Sequence, residues 1–158
     1  MQRGPFKLMQ RLIIVFNLDE QRYALHLSAV ERIIRIVEIT PLPQAPEIVL
    51  GFVNVQGQVI PVFNMRKRFR LPDREISLSD HLIIARTAKR TVALVADAAS
   101  GVVECGEEEL AAANRILPDL KYVEGVAKLE DGLILIHNLD TFLSLEEEKT
   151  LEQIMTPT

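Results

Sequence analysis

"GFVNVQGQVIPVFNM" occupies Gly51–Met65, and "GVAKLEDGLILIHNL" occupies Gly125–Leu139. Both open with Gly and a hydrophobic pair. Both pass through a polar-Gly turn into an apolar run, and both end on Asn followed by a large aliphatic residue. The offset is 74 residues at Gly51/Gly125 and again at Asn64/Asn138. Apolar runs split by a two-residue Gln-Gly or Asp-Gly turn are the pattern of a β-hairpin. The similarity continues upstream, where "RLIIVFNL…YALHL" matches "HLIIART…VALVA" at an offset near 70. Each half thus supplies a hairpin, a connector and a Gly-led hairpin. Strands this short and numerous suit small closed barrels, which leave no sticky sheet edge. The expected fold is all-β: two similar five-stranded SH3-like barrels packed around a shared hydrophobic core, with short helices.

Composition agrees with that expectation. The 158 residues suit one domain or two small modules, 48% are apolar, only 5% are aromatic, and Trp is absent. The core must be built from Ile, Val and Leu, residues that favour strands. The single domain is expected over 12–145, with barrel halves of roughly 12–70 and 80–143, chain crossovers allowed. Residues 1–11 read as a loose arm rather than a signal peptide, and 144–158 as a C-terminal helix and tail. Ser144–Glu147 has a capping-box pattern that starts this helix.

Local punctuation adds detail. Pro46 fits the first turn of a short helix and Gly51 its C-terminal cap. Ala29–Ile39 reads as an extended segment with a bend. Pro61 cannot donate to a ladder and is expected at an edge or bulge. Glu107–Leu117 reads as a short helix with acids in its first turn, and Asp131-Gly132 as a hairpin turn.

No constellation points to catalysis. His26, His81 and His137 have no ligand spacing between them, so no metal or cofactor is expected. Cys105 lies among acids that discourage thiolate chemistry, and its being the one cysteine excludes an internal disulfide. Asp97 ends an apolar strand, where it suits a local hydrogen-bonding role. No apolar run approaches the ~20 residues of a membrane span, so no direct insertion is expected. The net charge of −4 argues against a nucleic-acid partner. Arg66, Lys67, Arg68, Arg70 and Arg74 form a basic run, read either as a solvated loop or as a contact to an acidic partner. The alternative function is a β-barrel that binds single-stranded nucleic acid through that run.

Three blocks, "YALHLSAVERI", "PEIVLGFVNVQGQVIPVFNMR" and "YVEGVAKLEDGLILIHNLDTFL", resemble the CheW-like chemotaxis coupling proteins, in order from Leu12 to about Leu145. The resemblance implies a non-enzymatic adaptor. It would bridge the cytoplasmic tip of a methyl-accepting chemoreceptor and the regulatory domain of a chemotaxis histidine kinase. It would be cytoplasmic and recruited to membrane-associated receptor arrays. Carried over by position, Val30 and Leu82 would touch the receptor in a groove between barrels, and Gly51, Asn54, Gln56, Gly57 and Pro61 would shape one wall. The family usually has Arg, associated with receptor coupling, where Gln56 stands. It has Asp where Asn64 stands, and often Asp where Asn138 stands.

Overall fold

The computed structural model describes residues 12–105, 110–112, 123–129 and 132–155. Its strands are β1 (Leu12–Leu18), β2 (Gln21–His26), β3 (Val30–Arg35), β4 (Val49–Val55), β5 (Gln58–Phe63), β6 (His81–Arg86), β7 (Thr91–Ala96), β8 (Ala98–Glu104), β9 (Leu110–Ala112), β10 (Val123–Leu129) and β11 (Gly132–His137). Among the described residues, two α-helices accompany them, α1 (Met65–Arg68) and α2 (Leu145–Met155).

The repeat is real and its halves are interlocked. One sheet has the order β8-β1-β2-β11-β10-β9, the other β3-β6-β7-β5-β4. We refer to them as the first and second barrel. The opening hairpin of each half pairs with the closing hairpin of the other. β11 meets β2 in parallel at Ile134↔Arg22 through Ile136↔Ala24. β5 meets β7 in parallel at Val62↔Ala93 and Phe63↔Leu94. The sheets therefore cut across the halves 12–70 and 80–143: the second barrel takes residues between 30 and 96, and the first takes the segments flanking them.

Closure of the second barrel depends on one glycine. Beyond β3 the chain stays extended and bridges to β4, with the Thr40 amide donating to the Phe52 carbonyl at 2.9 Å and the reverse bond at 2.8 Å. Gly51 lies beside this bridge at φ +155°, and a Cβ there would sit 2.2 Å from the Thr40 carbonyl oxygen. Only glycine admits so close an approach. Gly51 thus belongs to a strand with a bulge between Val49 and Gly51, and not to the cap of the helix expected from Pro46, for the segment before β4 is turn. The first barrel has the same bulge between Val123 and Gly125, and β9 pairs with β10 there. That strand occupies Leu110–Ala112, inside the span expected to be helical; the remainder of Glu107–Leu117, like Asp131, lies outside the described residues.

Both faces of the central strands are buried, which explains the unbroken apolar runs in place of strict alternation. Ile13, Val15, Ala24, Ala127, Ile134 and Ile136 fill the first barrel. Val53, Val55, Ile60, Val62, Leu82, Ile84 and Ala93 fill the second. The opposite faces meet in a shared core of Phe16, Leu18, Tyr23 and Leu25 against Phe63, Ile83, Val92 and Leu94, with Phe142 and Leu151. Pro61 sits in an interior strand opposite Phe52, and the parallel ladder with β7 starts one residue later at Val62. The expected edge is thereby replaced by the end of a ladder. The capping box forms as read: the Glu147 amide donates to Ser144 Oγ at 3.1 Å and the Ser144 amide to Glu147 Oε1 at 2.8 Å.

Candidate functional site

The quoted Gly51–Met65 stretch reverses at its middle in a tight exposed turn. Gln56 (φ +52°) and Gly57 (φ +84°) both take the left-handed conformation, the geometry of a type I′ turn. The Asn54 side chain braces it, Oδ1 accepting from the Gly57 amide at 2.9 Å. Gln56 is itself contacted by Arg32 of β3, whose Nη2 lies 3.4 Å from Gln56 Oε1. Asn54, Gln56 and Gly57 therefore form one exposed tip, whereas Gly51 and Pro61 are buried beneath it.

Val30 and Leu82 are separated. Leu82 is 0% exposed inside the second barrel and offers no surface to a partner, so the groove contact expected of it is withdrawn. The alternation of β6 turns Ile83 towards the shared core and Leu82 away from it. Val30 is half-buried and packs against the shared core. It starts β3, the strand that leaves the first barrel through a 3₁₀ turn (Leu27–Ala29) and joins the second. β8 does the converse, leaving β7 at Asp97 and joining β1. These crossing strands are sheet edges with exposed apolar side chains, Ile33 at 36% and Val102 at 55%. Register makes them equivalent: Ile34 pairs with Leu82 and Val103 with Ile13, which sets Ile33 and Val102 in matching places. These matching exposed apolar positions on two edge strands are what sequence reading missed. Their signal was the poor alternation of "AVERIIRIVEI".

The basic run divides. Arg66 is 9% exposed; its Nη2 reaches Asp97 Oδ1 and Oδ2 at 2.9 and 2.8 Å and Asp19 Oδ1 at 2.9 Å. Arg74 Nη2 bonds Asp97 Oδ1 at 2.6 Å and the buried Asp80 at 2.7 Å. Arg68 pairs with Glu147 of α2 and lies over the Phe142 ring. Lys67 pairs with Glu47 on the surface, and Arg70 is exposed at the end of α1. Arg66 and Arg68 thus hold the protein together, and the exposed remainder is a short patch. Burial raises the Asp97 carboxyl, but the Asp19 amide and the two guanidinium groups outweigh it and hold Asp97 below the usual carboxylate range. Asp97 was legible as a capping acid; its partners, distant in sequence, were not.

The histidines are structural in placement. His26 Nε2 lies 3.1 Å from Glu124 Oε2. His137 is buried among Tyr23, Phe69 and Phe142, with the Phe69 ring edge-on at 4.4 Å. Neither ring nitrogen of His137 has a hydrogen-bond partner among the described residues, and burial pushes its pKa down to about 3. No group of three His, Cys, Asp or Glu able to hold a metal occurs among the described residues.

Two interlocked barrels, crossing edge strands with exposed apolar side chains, and a braced polar tip are the equipment of a binding scaffold. Comparison gives the family. Residues 12–147 match the model of the CheW-like domain, and the chain belongs to that family, one of chemotaxis scaffold and adaptor proteins rather than enzymes. It is 28% identical over 141 residues to "Chemotaxis protein CheW" of Rhizobium meliloti, covering 88% of this chain and 91% of that protein. The Thermotoga maritima protein of the same name is 29% identical over 141 residues, covering 89% and 91%. The crystal structure of the scaffolding protein TtCheW from Thermoanaerobacter tengcongensis superposes with a TM-score of 0.80 at 31% identity, covering 88% of this chain and 96% of that one. No helix among the described residues is long and apolar enough to cross a membrane.

Proposed function

We propose that this chain couples chemoreceptors to a chemotaxis histidine kinase, with a receptor hairpin seated along an apolar seam between β3 and β8 and the kinase regulatory domain on the outer strands of a barrel. The observation that carries the reading is the pair of equivalent edge strands: Val30 packs on the shared core at the start of β3, and β3 and β8 expose the apolar side chains of Ile33 and Val102. An amphipathic helix suits such a groove, because it presents an apolar stripe without competing for backbone hydrogen bonds. Asn54, Gln56 and Gly57 would shape the adjoining wall, with the Arg32–Gln56 contact standing where the family usually offers a lone Arg. Recruitment to membrane-associated arrays would follow from receptor binding.

The test is calorimetric titration of the full chain against a receptor hairpin tip and against a kinase regulatory domain, in turn. Binding to both is expected. Val30→Asp places a charge against the rim of the shared core and should weaken receptor binding roughly tenfold or more, with the melting temperature lowered but the fold and kinase binding retained. Full receptor affinity in that variant would defeat the seam assignment. Kinase binding alone in the native chain would mean that the receptor side has been lost or redirected.

A further inference from the structure

The two barrels are tied across their interface at two places that the internal repeat makes equivalent. Arg66 follows β5 of the second barrel and reaches Asp19, in the β1–β2 turn of the first. Asp140 follows β11 of the first barrel, and its Oδ1 accepts from the Ala88 amide in the β6–β7 turn of the second at 2.8 Å. Arg66 and Asp140 are 74 residues apart, and Asp19 and Ala88 are 69 apart, the same offset that relates Ala24 to Ala93. The chemistry differs sharply. The Asp140 tie is one hydrogen bond, reinforced by α2, whose Glu147 and Glu148 pair with Arg68 and Arg90 of the second barrel.

The Arg66 tie is a charge network centred on Asp97. Asp97 stands where the chain passes from β7 of the second barrel to β8 of the first, and it bonds to both. Its amide donates to the Asn17 carbonyl at 2.9 Å, and its carboxylate accepts from the Asp19 amide at 2.7 Å, both partners lying in the first barrel. The same carboxylate takes Arg66 of the second barrel and Arg74 of the connection. A charge-assisted contact in which one nitrogen, Arg66 Nη2, meets both oxygens of Asp97 and also Asp19 Oδ1 is short and strong. Placed at the root of β8, it constrains the strand that forms one side of the seam.

We infer that Asp97, Arg66 and Asp19 are positioning residues that fix the angle between the two barrels, and thereby the shape of the seam between β3 and β8. The effect on barrel geometry stands by itself; its effect on binding rests on the seam being the receptor surface.

Spin labels at Val59→Cys and Leu133→Cys read the geometry. These side chains are 48% and 47% exposed, lie in equivalent hairpins of the two barrels, and the native Cys105 is buried. The native background should give one narrow distance distribution. Asp97→Asn keeps the shape of the side chain and removes its charge; Asp19→Asn is the milder variant, removing one carboxylate from Arg66. Both should broaden or shift the distribution well below their melting temperatures, Asp97→Asn more. Receptor-hairpin affinity should fall about tenfold, a common size for coupled sites, with kinase-domain affinity unchanged. A lower melting temperature with an unaltered distribution in both variants would overturn the inference, leaving the network a plain stabiliser. An altered distribution with undiminished receptor binding would uphold the positioning role and sink the seam as the receptor surface.

Discussion

Phe63 ends β5 of the second barrel, and His137 ends β11 of the first, 74 residues further on. Both point into the shared core beside Phe142. Phe63 stacks on that ring with centroids 4.8 Å apart and planes 1° from parallel; His137 stands 6.2 Å away at 41°. The same seat is apolar in one barrel and in the other holds an imidazole without hydrogen-bond partners among the described residues. Repetition supplied the plan of both barrels. Each seat is then answerable to its own neighbours, and the first barrel keeps a polar ring where the second shows that a hydrocarbon serves.

The comparison breaks most completely where the seats share a wall. Phe142→Ala removes the ring against which both pack and should cost about 4 kcal/mol of stability, read as a lowered denaturant midpoint with both barrels lost together. Next comes the closure that differs between the barrels. Gly51→Ala drives a Cβ against the Thr40 carbonyl oxygen and should cost about 3 kcal/mol. Amide exchange should quicken in β4 and the segment around Thr40 more than in β10; uniform quickening would show that the barrels do not open separately.

The smallest effect sharpens the contrast between the two seats. An unfolded imidazole titrates near 6.5, while burial holds that of His137 at about 3. Between these values the unfolded chain binds a proton that the folded chain does not, so stability falls as pH drops below 6.5. One group contributes about 1.4 kcal/mol per pH unit, or roughly 2 kcal/mol between pH 6.5 and pH 5. His137→Leu should remove that part of the pH dependence and add about 1 kcal/mol at neutral pH by eliminating buried polar atoms without partners. Parallel pH profiles for the two proteins would mean that the ring finds a proton acceptor as it charges.

Local pairings were legible because they depend on neighbours in sequence. The Gln56-Gly57 turn, the β1–β2 and β6–β7 hairpins and the Ser144–Glu147 box each rest on a few adjacent residues. The exchange of hairpins between halves was not legible, since β1 would present the same apolar faces to either partner and no local pattern distinguishes β8 from β3. The helix expected over Glu107–Leu117 illustrates the same limit: Leu110–Ala112 have helical propensity, and pairing with β10 overrides it. In the basic run, sequence showed charge without showing that Arg66 and Arg68 have acids waiting at Asp19, Asp97 and Glu147. The turn at Asn54–Gly57 was legible; that Ile33 and Val102 hold matching exposed positions required the register.

The nesting of the barrels also has a consequence for how the chain is made. Residues 30–96 contain every strand of the second barrel, so that barrel can close while synthesis is still under way. The β1–β2 hairpin leaves the ribosome ahead of the second barrel, yet its partners β8 and β11 come after it. Those earliest apolar residues, Ile13 to Leu18 among them, wait through about 80 residues of synthesis before β8 can cover their edge, at the few-to-twenty residues per second usual for translation. The first barrel is thus the one exposed to chaperones and to premature pairing with another chain.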